Sequence, residues 1–439
     1  MSSTATPAAP ASKFRFRTLV FWLHLVAGLV AGVIVFVMSV TGVLLAYERQ
    51  IVAWSDSGFR VEPPSAGAAR MDVEALLASV RVSETNAAPS GLTLRADPKA
   101  PATVSFGRDK TLFIHPYTGA VLGEATGGWR EFFHWMVDWH RWIGLHGEGR
   151  AVGKAITGAC NLAFLFLVVS GVYLWFPRKW TKAALKSVTV FDGRLKGRSR
   201  DWNWHNVLGF WAALPLVFVV ASAVVISYPW AGDLVYRAFG EEPPARRARP
   251  ETAQARSGNA ERPTPNAERR NEEAASAPAA NIGTNSGVQG SALNVQRSRP
   301  SPQRGAAGPA EIRTAGLNAV WAVAKKKVEG WNYVSMRFPA KTGDPLTFLI
   351  DKGTGPRPDL RATLTLDADS AKEVDWKPYS SMNAGQKARG WIRWIHTGEA
   401  GGWIGQTVAM LASLAAAVLV WTGFALSWRR FFGKRRLKD

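Results

Sequence analysis

The sequence predicts an α-helical membrane protein in which four transmembrane helices form two parallel pseudo-symmetric repeats, each carrying a small α+β domain outside the bilayer. Three observations carry that prediction. Four long apolar stretches interrupt a polar chain, basic residues gather at one set of helix ends, and the second half of the chain repeats the first.

A helix needs about 20 predominantly apolar residues to cross the hydrocarbon core. Within the 439 residues, segments 19–47, 153–176, 204–230 and 403–428 meet that length. The first is too long for the core of a secretory signal, and no small-residue cleavage site follows it, so it is read as a retained helix.

A net charge of +21 raises nucleic acid as a partner, but the distribution of the charge removes it. Lys13, Arg15 and Arg17 lie in the tail 1–18. Arg178, Lys179, Lys182, Lys186, Arg194, Lys196, Arg198 and Arg200 fill the loop 177–203. Arg429, Arg430, Lys434, Arg435, Arg436 and Lys438 occupy the tail 429–439. Lysine and arginine in short flanking loops mark the cytoplasmic side. All three clusters agree on one topology, with both termini inside a bacterial-type inner membrane and the long segments outside. The partner these charges imply is membrane lipid. Cys160 is the single cysteine, so no disulfide within the chain and no thiolate cluster is expected, and the absence of CxxCH excludes covalent c-type haem by that signature.

Laying Trp139 on Trp391 aligns WHRWIGLHGEGRAVG with WIRWIHTGEAGGWIG without a gap, and the following helices end alike, in SGVYLWF and TGFALSW. Laying His24 on His205 aligns the first and third spans, Tyr47 falling on Tyr228. Both halves enter from the same side, which makes the repeat parallel, with its axis along the membrane normal. Between the spans, 48–128 and 311–380 each read as a helix followed by three or four antiparallel strands. The helices are expected at 71–82 and 310–328, and segments 129–152 and 381–402 as helices at the outer leaflet. The second half is longer by an insert, 241–310, rich in Pro, Ala, Arg, Asn, Ser and Gly and poor in residues to bury, which reads as disordered.

Four histidines sort by leaflet. An ionisable side chain in a membrane helix is costly and marks function by default. His24 lies about 10 Å inside the first span, counting about 1.5 Å per residue from Arg17, and His205 opens the third. The repeat relates them, so they are placed to face one another near the cytoplasmic leaflet. His140 and His396 precede the second and fourth spans at the outer leaflet. In the alignment they differ by one helical turn and so share a face. Imidazole ligates Zn, Cu and haem iron. A zinc site wants about four ligands, often with Cys or carboxylate, yet no acidic residue lies between His24 and Glu48. Two axial imidazoles per site within an apolar, aromatic wall suit a porphyrin. Gly28 and Gly209, one turn beyond the inner histidines, either make room for a flat macrocycle or allow close helix packing. Arg141 and Arg393 stand beside the outer pair as partners for haem propionates or an anionic substrate. His134 is the alternative outer ligand, although six residues set it on another helical face than His140. His146 reads as a surface residue and His115 as structural. Trp129, Trp135, Trp139, Trp142, Trp391 and Trp394 read mostly as an interfacial aromatic belt.

The chain resembles the PepSY-associated transmembrane family, which includes inner-membrane siderophore-iron reductases. The residues that carry the resemblance are WLHLVAGLVAGVIVFVMSVTGVLLAYE, WHRWIG, WHNVLGFWAALPLVF, IHTGEAGGWIG and the FIHPYTGAVLGEA hairpin typical of a PepSY domain. The match covers nearly the whole chain except the N-terminal tail and the insert. It implies a pair of periplasmic PepSY-like domains on a di-haem core that reduces ferric siderophore and releases Fe(II). Carried over by position, His24 and His205 would hold the inner b-type haem, and His140 and His396 the outer one. No flavin or dinucleotide fingerprint is visible, so the electron donor is expected to be a separate cytoplasmic reductase or a quinol. Two other functions fit the same pattern less fully. One is a di-haem conduit to a periplasmic protein, and the other is a haem-free adaptor in which the helices only anchor the external domains.

Overall fold

The computed structural model describes residues 16–84, 88–107, 110–125, 128–177, 180–244, 315–339, 341, 343–355 and 357–433. The insert from residue 245 onward lies outside them, as do Lys13, Arg15, Arg178, Lys179, Lys434, Arg435, Arg436 and Lys438.

Four described helices are long and apolar enough to cross a membrane: α1 (Phe16–Leu45), α5 (Gly149–Trp175), α7 (Gly197–Ser227) and α11 (Gly402–Phe431). The intervening elements are α2 (Glu48–Ser55), α3 (Val73–Ser83), β1 (Gly91–Arg95), β2 (Ala102–Phe106), β3 (Lys110–Ile114), β4 (Val121–Glu124) and α4 (Gly128–Trp142) in the first half. Between α5 and α7 lies α6 (Lys182–Thr189). In the second half they are α8 (Pro229–Ala238), α9 (Leu317–Lys327), β5 (Tyr333–Arg337), β6 (Leu346–Asp351), β7 (Arg361–Leu366), β8 (Glu373–Pro378) and α10 (Ala384–His396).

Within the bundle α1 packs against α5 and α11, and α7 packs against the same two. Thus α1 and α7 stand on one diagonal and α5 and α11 on the other. Contrary to the expectation that His205 opens its helix, α7 begins at Gly197 and His205 sits about two turns inside, as His24 does in α1. The polar, aromatic stretch Arg198–Trp204 simply continues the helix beyond its apolar part. Hydropathy marks the buried length of such a helix, not its ends.

The strands form one antiparallel sheet in the order β4-β3-β2-β1-β5-β6-β7-β8. Two separate small α+β domains were expected from the sequence. Instead β1 and β5 pair from Gly91↔Arg337 to Arg95↔Tyr333, and one core draws on both halves. Left apart, each half would present a free strand edge, and pairing removes both edges. Thr93 Oγ1 donates to Ser335 Oγ at 2.8 Å across the join. Helices α3 and α9 meet through a reciprocal bridge, the backbone N–H of Glu74 donating to the Asn318 side chain and that of Asn318 to Glu74. The strands with the weakest sequence signal, β4 and β8, are the sheet edges, where Pro378 and charged residues are tolerated.

The junctions between leaflet helices and spanning helices are tight. A Cβ on Gly153 would lie 2.3 Å from the Trp142 carbonyl oxygen, and one on Gly405 would lie 2.2 Å from that of Gly398. Backbone cannot swing aside as a side chain can. Gly153→Ala or Gly405→Ala is therefore expected to lower stability by about 1–3 kcal/mol, read as a lower thermal midpoint in detergent. Gly401→Ala, where nothing stands within 4 Å of the added atom, is expected not to lower it.

Candidate functional site

The inner histidines lie on diagonal helices and line a single cavity of about 620 Å³. Gly28 and Gly209 also line it, and a Cβ on either would come no nearer than 3.8 Å to the neighbouring helix. Close helix packing therefore does not require them, and they leave space beside the imidazoles. Gly171 and Gly423 seat the rings, since a Cβ there would lie 3.4 Å from His24 Cε1 and 3.7 Å from His205 Cε1.

Each ring is oriented by a hydroxyl. His24 Nδ1 lies 2.8 Å from Ser170 Oγ, and His205 Nδ1 lies 2.9 Å from Thr422 Oγ1. Both hydroxyls donate their own proton one turn back, Ser170 to the Phe166 carbonyl at 2.6 Å and Thr422 to the Val418 carbonyl at 2.8 Å. A hydroxyl has one proton. With that proton committed, each oxygen accepts from the ring, so Nδ1 carries the N–H and Nε2 keeps its lone pair.

The outer histidines follow the same logic. His140 Nδ1 lies 2.9 Å from Thr41 Oγ1, whose proton goes to the Val37 carbonyl at 2.7 Å. His396 Nδ1 donates to the Val219 carbonyl at 2.9 Å, with Ser222 Oγ at 3.5 Å. The two rings face each other with centroids 6.1 Å apart. Two imidazoles on opposite sides of one metal ion, with bonds of about 2.0–2.1 Å, would have ring centres about 6 Å apart. Withdrawal from water holds His140 down at about 4, helped by the neighbouring His396 and opposed by a hydrogen bond to the Met38 carbonyl. Burial likewise lowers His396. Both rings are neutral at pH 7, the form that ligates. Among the described residues, no three of His, Cys, Asp and Glu come together as a metal site. A metal at either pair thus takes two protein donors, and its other positions must be filled from outside the chain.

Guanidiniums flank both pairs. Arg17, Arg198 and Arg430 line the inner cavity, and Arg17 donates to the Leu174 and Phe176 carbonyls at 2.6 and 2.9 Å. At the outer end Trp142 lies between Arg141 at 4.7 Å and Arg150 at 4.5 Å, and Trp394 between Arg393 at 5.4 Å and Arg361 at 5.2 Å. Burial, then the charges of Arg393 and Arg150, pull the Arg141 guanidinium below its ordinary value. Arg361 also binds buried Asp351 at 2.6 Å within the sheet, and its contact with Trp394 ties the sheet to α10.

The structure brings His140, not His134, to His396. His134 is exposed on α4. His146 is also exposed and lies 3.4 Å from the buried carboxylate of Asp138. His115 accepts from the backbone N–H groups of Tyr117 and Thr118 at 3.3 Å and shapes the turn after β3. The hydroxyls of Ser170, Thr422, Thr41 and Ser222 were not singled out from sequence. The repeat carried the signal, since Ser170 aligns with Thr422 and Thr41 with Ser222 in the registers already described.

These features define a four-helix membrane protein joined to an antiparallel sheet, with paired histidines inside the bundle. The chain belongs to the family described as the PepSY-associated TM region, which matches residues 21–430. No curated protein matches the chain.

Ser170→Ala leaves the His24 N–H without its acceptor. It is expected to cost about 1–3 kcal/mol, measured as a lower thermal midpoint. In ¹⁵N-histidine spectra of the ligand-free wild type, the four bundle imidazoles are expected to carry the proton on Nδ1.

Proposed function

We propose that this protein lies in a bacterial inner membrane, holds two b-type haems and reduces ferric siderophore on the periplasmic side, releasing Fe(II) for uptake. One observation carries the reading. Four imidazoles stand in two pairs, each with Nδ1 committed to an acceptor and, among the described residues, no hydrogen bond at Nε2. Two donors per site, arginines near both pairs and, at the inner pair, space beside the rings are what a carboxylate-bearing macrocycle requires. Membership of the PepSY-associated family adds to it.

His24 and His205 would hold the inner haem, and His140 and His396 the outer. Basic residues beside the ends of α5, α7 and α11 support cytoplasmic termini and a periplasmic sheet. Matched hydroxyl positions in the two halves support two parallel repeats about an axis normal to the membrane. A bound haem supplies a one-electron Fe(III)/Fe(II) couple whose potential follows from its ligands, burial and nearby charge. The chain's residues do the rest. Arg17, Arg198 and Arg430 neutralise propionates at the inner rim, while Arg141 and Arg393 offer positive charge to propionates or an anionic chelate outside. Val168, Ala212, Leu216, Ala412, Ala415 and Ala416 form a buried apolar layer in the bundle, which keeps water from the path. From His24 to Thr41, and from His205 to Ser222, α1 and α7 each rise roughly 25 Å, which sets the spacing of the two sites along the membrane normal.

Purified protein reduced with dithionite is expected to show sharp b-type bands and two haems per chain. His24→Ala or His205→Ala is expected to remove about half of that haem, and the double variant no more. Full haem in the double variant would contradict the pairing, and a wild type without b-type bands would leave only a haem-free adaptor. Anaerobic addition of ferric siderophore to pre-reduced protein is expected to reoxidise it, with one Fe(II) formed per electron. Reoxidation only after a periplasmic protein is added would instead mark a conduit.

A further inference from the structure

A groove of about 420 Å³ runs along the last turns of α11 beside Leu29 of α1. Its outer wall is Trp421, Trp428, Phe431 and Phe432, all facing outward from the bundle. Its inner wall is shared with the histidine cavity, because Leu29, Phe424 and Ser427 line both. The groove therefore lies on the lipid-facing surface of the bundle, with a wall of three side chains between it and the cavity of the inner histidine pair.

The other half of the molecule treats the same place differently. In the repeat registers Leu29 falls on Phe210 and Ser427 on Trp175. Phe210 and Trp175 stack face to face with centroids 4.5 Å apart, which seals the seam between α5 and α7. A leucine and a serine at the matching positions cannot form that stack. The face-to-face stack is thus specific to one of two matching seams; at the other the Phe424 ring packs against Gly32 and floors the groove.

We propose that this groove admits a membrane quinol, the electron donor for the inner site. The proposal rests on the inner haem proposed above. A donor seated in a groove on this surface must partition into lipid, and aromatic walls suit a flat ring with an isoprenoid tail. Arg429 lines the groove at the last turn of α11, where the released protons would meet water. One quinol loses two electrons and two protons and leaves as quinone. A haem held by His24 and His205 would accept these electrons one at a time, so each quinol would supply the reduction of two ferric chelates to the ferrous state.

The test uses detergent-purified holoprotein mixed anaerobically with a decyl-substituted benzoquinol. Quinol is expected to reduce the wild-type haem. Ala425→Trp fills the groove at a residue that does not line the histidine cavity. It is expected to slow that reduction at least about tenfold with the dithionite-reduced spectrum unchanged. The pair Trp421→Ala and Trp428→Ala trims the walls without filling the space, and is expected to raise the half-saturating quinol concentration about tenfold. As a readout independent of turnover, a photoreactive quinone is expected to label residues 421–432, and excess quinol to compete it away. Wild-type haem left oxidised by quinol, wild-type rates in both variants, or labelling elsewhere would overturn the proposal. Labelling that quinol fails to compete would mark a furrow filled only by lipid, and would overturn it too. Absence of b-type bands with dithionite would be a failure of the haem reading itself, and is told apart from these results before any quinol is added.

Discussion

An imidazole enclosed among lipid-spanning helices must place its N–H on an acceptor, and the four bundle histidines all do so through Nδ1. Three of the acceptors are hydroxyls whose own proton is spent on a carbonyl one turn earlier. Hydroxyls used in this way, one turn ahead of a carbonyl, are common within helices. Here they acquire a second duty. The backbone polarises the hydroxyl, the hydroxyl fixes the tautomer, and the tautomer presents a bare Nε2 to the space between the helices. Remove any link and the ring is free to turn or to change which nitrogen bears the proton. The paired arrangement, the cavity and the redox reading depend on this chain of hydrogen bonds.

Much of the membrane part was legible in the sequence because membrane physics leaves few choices. Length and hydropathy gave four spans, and the repeat gave their pairing. His140 and His396 met as expected from their one-turn offset. Other features were hidden for identifiable reasons. Gly197–Trp204 extends α7 without being apolar, so hydropathy placed the start of the helix too late. The fusion of the two external domains depends on β1 and β5, strands of ordinary alternation that do not advertise which edge is free. The edges β4 and β8 carry little apolar pattern because one side of each pairs with nothing. Ser170, Thr41, Thr422 and Ser222 are unremarkable as residue types. They become informative only when both halves are overlaid and the same small polar group recurs opposite each histidine.

The repeat is also informative where it is broken. Trp175 and Phe210 stack at one seam, whereas at its counterpart Leu29 and Ser427 leave a groove floored by Phe424. Arg150 clasps Trp142 in one half, whereas Arg361, borrowed from the sheet and anchored on Asp351, clasps Trp394 in the other. The two halves are thus alike around the histidines and their hydroxyl partners and diverge at the periphery.

The join between β1 and β5 has a consequence for biosynthesis. Arg95 leaves the ribosome long before Tyr333, and at about 5–20 residues per second the interval is roughly ten to fifty seconds. Throughout that time the first four strands have no partner along the β1 edge, and the shared core lacks half its side chains. The nascent domain must wait half-built, so its maturation is paced by translation of the second half rather than by its own collapse.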